Sequence, residues 1–160
     1  MRADESDEAA LVAYASSLAD GIDVALADWV ERCVLERCGA AGRPVDDDLR
    51  RRARTAGERC RNEVGPQVRQ LLMADLDDQR GTPLALLRRA VTYPTEVLAA
   101  LGVPPVDRDE FAQRAFPEDL YGLAPATFGD LDERLAEPGL VWGAAKAHVH
   151  LARRRAEGRR

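Results

Sequence analysis

The chain has 160 residues, 46% of them hydrophobic and 32% charged, with a formal net charge of −5. A chain of that length buries roughly 68–70% of its unfolded surface, so it can build a core without disulfide staples. The composition excludes collagen, low-complexity disorder and a disulfide scaffold, and no run approaches the ~20 apolar residues that span a bilayer.

The first predicted element is one long helix from about Ser6 to Arg37. Leu11, Tyr14, Leu18, Ile22, Ala25, Trp29 and Cys33 recur at steps of three and four, a single helical stripe. Gly39, Gly42 and Pro44 end it. Asp46 then offers an N-cap to a second helix with the stripe Leu49, Ala53, Ala56, Cys60 and Val64. Gly65-Pro66 is expected to kink or split that helix, because proline removes a donor and crowds the preceding turn. The pattern resumes at Val68, Leu71, Leu72 and Leu76 and stops at Gly81. Two amphipathic stripes and one short turn make an antiparallel hairpin over residues 6–81.

Residues 82–160 are more punctuated. Thr82-Pro83 reads as an N-cap followed by proline in the first turn. That helix meets Pro94, so a kink or a short second helix ending at Gly102 is expected. Val103-Pro104-Pro105 is a rigid connector. Asp107 to Glu110 has capping-box spacing and starts a short helix carrying Phe111 and Phe116, stopped by Pro117. A loop follows to Pro125, and Thr127 caps another short helix through Leu131 and Leu135. Pro138-Gly139 is read as a turn into a final helix, Leu140 to about Ala156. The buried face of that helix is expected to hold Val141, Ala144, Ala145, His148, Leu151 and Ala152. No strand pattern occurs. The chain therefore reads as one all-α domain, residues 1–160. It is a helical bundle whose long N-terminal antiparallel hairpin packs against several short C-terminal helices.

Motifs that carry chemistry are scarce. Cys33 and Cys38 are five apart, which on a helix turns the side chains about 140° from one another. With Cys60 they form no tight zinc knuckle, so no metal site is expected. His148 and His150 face nearly opposite ways on one helix. Asp46-Asp47-Asp48 and the Asp75, Asp77, Asp78 group resemble acidic clusters that hold magnesium, but helix starts are acidic anyway. Serine occurs only at Ser6, Ser16 and Ser17, and neither a nucleophile elbow nor a glycine-rich phosphate loop is present. No catalytic residue and no cofactor is assigned.

The acidic start, Met1 to Glu8, lacks the basic-then-apolar pattern of a secretory leader, so the cytoplasm is expected. Three cysteines, an odd number, fit a reducing compartment. Residues 139–160 carry six basic residues against one acid. Of the 23 basic residues, only Lys146 is not arginine. With the abundant alanine, that reads as codon usage of a high-GC bacterial genome.

Three functional readings follow. The first is a non-catalytic interaction or regulatory protein whose partner is an unidentified protein or a second copy of itself. Its contact surface would use Phe116, Tyr121, Phe128 and Trp142, rings gathered in an irregular segment that is costly to order; the other placement open to Tyr121, Phe128 and Trp142 is in the core, against the long hairpin. Gly139, Gly143 and Ala147, spaced by four, would make a strip for close helix packing or a homodimer seam. The second is a nucleic-acid or ribosome-associated factor that holds a polyanion through Arg153, Arg154, Arg155, Arg159 and Arg160. The third is a small helical enzyme or ligand binder using Asp75, Asp78 and His148. No membrane partner is expected.

Overall fold

The first two helices set the frame. In the computed structural model, which describes residues 2–73 and 83–158, α1 runs Arg2–Ala40 and α2 runs Asp47–Met73. They lie antiparallel, with Ala27 against Gly57, Asp23 against Gly65 and Asp20 paired with Arg69. The crossing is close because Gly57 has no side chain. A Cβ there would lie 2.5 Å from the Ala27 carbonyl oxygen. The predicted stripe of α1 is buried from Leu18 to Cys33, but Tyr14 is exposed. A second stripe is buried as well: Ala15, Ala19, Leu26, Val30 and Val34. The reason is that α1 is the central helix, packed against α2 and also against α3 and α6.

Within Glu8–Ala40, α1 is long and apolar enough to cross a bilayer, which corrects the expectation that no segment is. Of its most apolar window 33% is buried, where Ile22, Leu26, Trp29 and Val30 pack in the core.

Local rules place most helix ends. The Arg43 N–H donates to Cys38 O and the Gly42 N–H to Gly39 O, with Gly42 at φ 75°. That is the paired closure of a glycine-terminated helix. Asp46 caps α2 through its carboxylate, which accepts from the Leu49 N–H at 2.8 Å. Of the two outcomes expected at Gly65-Pro66, a kink or a split, the split does not occur, and α2 runs through both residues. Pro66 lies on the exposed side and Gly65 on the buried side, so the missing donor faces water. The predicted stop at Gly81 lies outside the described residues.

The third helix, α3, spans Pro83–Ala100 and also runs through its proline, Pro94. It closes like α1: Val103 N–H donates to Leu98 O and Gly102 N–H to Ala99 O, with Gly102 at φ 71°. The short helix α4, Glu110–Ala115, is capped by Asp109, whose carboxylate accepts from Ala112 N–H at 2.7 Å. The cap thus sits two residues later than the Asp107 spacing predicted. Helix α5 is Phe128–Leu131, followed by a single 3-10 turn, Glu133–Leu135. The last helix, α6, is Ala136–Gly158. Pro138-Gly139 is therefore no turn but part of its first turns, where proline sacrifices no helical hydrogen bond. Helix α6 packs on α1 and α5, and Arg153 pairs with Glu8 to fasten its far end to the start of α1. The protein is an all-α helical bundle, with no strand among the described residues.

Candidate interaction surface

The loop after α4 is held by buried polar groups. The Asp119 side chain is buried and accepts from the backbone N–H groups of Leu123, at 2.7 Å, and Ala124, at 2.9 Å. The Tyr121 hydroxyl donates to Val103 O at 2.7 Å, which ties the loop to the end of α3. Tyr121 is fully buried and packs with Val34, Cys38 and Leu98. Phe116 is half-buried and its ring lies 4.2 Å from the Arg88 guanidinium of α3. A guanidinium over a ring face is a favourable electrostatic contact.

The other two predicted rings meet each other. Phe128 and Trp142 are buried with centroids 6.4 Å apart and planes tilted by 56°, within the usual range of aromatic pairs. Gly139 makes room for this pair: a Cβ there would lie 3.2 Å from Phe128 Cδ2. Of the four rings offered for a contact surface, Tyr121, Phe128 and Trp142 take the other placement, in the core. Large apolar rings gain most from full burial, and the bundle has space for them. Within residues 83–158 the exposed ring is Phe111, at 76%.

Helix α6 turns out differently from its predicted orientation. Its inward side carries Trp142, the stem of Lys146 and, half-buried, Ala145 and Val149. The Lys146 ammonium donates to Leu71 O at 3.1 Å and lies 5.1 Å from the Trp142 ring. The outward side carries Leu140, Ala144, Ala147 and Leu151, with Leu140 exposed at 74% and Leu151 at 53%. Val141, His148 and Ala152 are exposed too, so the predicted buried face was set roughly one helical quadrant or more away from the real one. The physical reason is that α6 carries apolar side chains on two sides, Trp142, Ala145 and Val149 on one and Leu140, Val141, Ala144 and Leu151 on the other, so periodicity names no single face. The strip Gly139, Gly143, Ala147 straddles the boundary. Gly139 serves intramolecular packing, while Gly143 opens on empty space and Ala147 is exposed. An apolar cleft of about 280 Å³, lined by Leu87, Phe128, Gly139, Leu140, Trp142 and Gly143, adjoins this outward face.

The remaining chemical groups are dispersed. Burial pushes the Cys33 and Cys60 thiols up to about 12 and raises Cys38 as well, so all three stay protonated at neutral pH. No group of three His, Cys, Asp or Glu among the described residues is placed to hold a metal ion. His148 is exposed, while Asp75 and Asp78 lie outside the described residues. Asp47 pairs with Arg50, and Asp48 with Arg51 and Arg52. A groove of about 430 Å³ between α2 and α3 is lined by Arg51, Arg52, Thr55, Arg59 and Glu96. Its cations are compensated, since Arg59 reaches both Glu63 and Glu96. At the basic end, Arg153 is engaged by Glu8, and Arg154 and Arg155 are exposed. Arg159 and Arg160 lie outside the described residues.

The local signal for the outward face was present in the sequence as Leu140, Ala144, Ala147 and Leu151 at steps of four, three and four. Two of its members, Ala144 and Leu151, belong to the expected buried face, because apolar spacing alone does not say which of two apolar faces turns inward. No protein-family model matches the chain, and comparison with curated proteins and with solved structures gives no match either.

Proposed function

We propose that the chain is a non-catalytic interaction module of the cytoplasm, and that its contact surface is the outward face of α6. The observation that carries this reading is Leu140 and Leu151, both largely exposed on one face of a helix whose opposite face is already packed. Exposed apolar side chains scattered singly are ordinary, whereas a row along one helix marks a surface that another surface covers. Helix-in-groove and helix-on-helix recognition both use anchors at this spacing. Three free, buried thiols suit a reducing compartment.

The surface differs from the one expected from the aromatic rings. Phe128 and Trp142 support it from beneath, and Phe116 and Tyr121 fix the neighbouring loop. The test is a photo-crosslinking amino acid placed singly at Leu140, Ala144 and Leu151, with Glu58 on the exposed side of α2 as control. Adducts from the three α6 positions and none from position 58 are expected. Adducts absent from α6, with salt-sensitive RNA or DNA binding through the terminal arginines instead, overturn the reading.

A further inference from the structure

We infer that the surface covering α6 is a second copy of the chain, docked antiparallel about a twofold axis that meets the outward face midway between Ala144 and Ala147. The inference rests on the reading of α6 as the contact face and names its occupant. The outward row of α6 is a palindrome in chemistry. Leu140 and Leu151 stand at equal distances either side of the midpoint, Ala144 and Ala147 nearer to it, and Glu137 and Arg154 farther out. All six are exposed. Turning a second helix end for end therefore sets leucine against leucine, alanine against alanine and carboxylate against guanidinium, twice over. Isologous contacts demand that self-complementarity.

Shape agrees with charge. The alanines at the centre let two helix axes approach toward the near end of the usual 8–10 Å range. A parallel pairing sets Arg154 beside Arg154 and Glu137 beside Glu137, which repel. An acidic or a basic partner helix satisfies only one end of the row. The antiparallel copy satisfies both, and it also opposes the two helix dipoles.

Sedimentation equilibrium on the full chain over a wide dilution series tests this. A mass rising to twice the 17.5 kDa chain is expected. Ala147→Glu, at an exposed site, is expected to hold the protein at the single-chain mass with unchanged circular dichroism. Glu137→Arg alone and Arg154→Glu alone are each expected to weaken association by about tenfold or more, through like charges set face to face. The double variant restores it. A dimer that survives Ala147→Glu uses another face and overturns the inference. A double variant no better than the singles overturns the antiparallel register. A single-chain mass at every concentration overturns the dimer. In that case adducts to a different protein from position 144 leave the broader reading standing, and their absence ends both.

Discussion

Lys146 donates from the middle of α6 to the carbonyl oxygen of Leu71 in α2, 3.1 Å away. The only lysine of the chain thus joins its two halves, with its ammonium also 5.1 Å from the Trp142 ring. Lys146→Met keeps the stem and removes the ammonium. It is expected to cost about 1.5–3 kcal/mol, the range for hydrogen bonds to charged groups. Arg154→Met, on the exposed side, is expected to fall within about 0.5 kcal/mol of wild type. Urea denaturation of both variants reads the difference, and equal midpoints would remove the role given to Lys146.

The aromatic residues separate by depth. Phe128→Ala and Trp142→Ala are each expected to cost about 3–5 kcal/mol, since each empties a packed site. Phe111→Ala is expected to leave stability within about 0.5 kcal/mol of wild type. Thermal unfolding of the three variants checks the order. A Trp142→Ala protein as stable as wild type would place that ring outside the core.

Two glycines make opposite predictions from the same substitution. In a helix interior, Gly→Ala ordinarily gains up to about 1 kcal/mol. Gly143→Ala is expected to follow that rule, because nothing lies near its added methyl. Gly57→Ala is expected to lose about 1–3 kcal/mol, because its methyl would meet the Ala27 backbone oxygen and push α1 and α2 apart. Chemical denaturation gives both signs, and a stabilised Gly57→Ala would contradict the close crossing.

Alkaline pH tests the buried protons. Burial drives Cys33 and Cys60 from 9.0 to about 12. Burial, then the hydrogen bond donated to Glu63, drives the Tyr93 hydroxyl from 10.0 to about 12. The native state thus holds protons that the unfolded chain releases first. The stability linked to them is complete below about pH 9 and is lost as pH rises toward about 12. The urea midpoint is expected to fall across that window, and Tyr93→Phe to flatten the fall. A midpoint independent of pH there would mean that these groups are open to water.

The loop after α4 depends on Asp119. Asp119→Ala leaves the Leu123 and Ala124 N–H groups without their acceptor and is expected to cost about 3 kcal/mol, at 1–3 kcal/mol for each unsatisfied donor. Amide exchange at Leu123 and Ala124 is expected to rise before that of α1. Unchanged protection would show that another acceptor takes over.

What the sequence determined by itself is the set of helices and several of their ends. Gly42, Gly102, Asp46 and the tolerated Pro83 act within a few residues, through backbone groups that must find partners nearby. The hairpin was legible for the same reason: α2 has a single buried stripe, and its partner lies one short turn away. Even so, Pro66 and Pro94 do not break their helices, because the cost of a missing donor depends on surroundings that the local sequence does not describe. Only the tertiary structure decided that α1 is buried on two sides, that Tyr121, Phe128 and Trp142 point inward, and which apolar face of α6 meets the bundle. Those choices compare whole surfaces. Trp142, with Phe128 and Gly139 beneath it and Lys146 reaching Leu71, packs better than the Leu140–Leu151 row, and that competition has no signature in spacing alone.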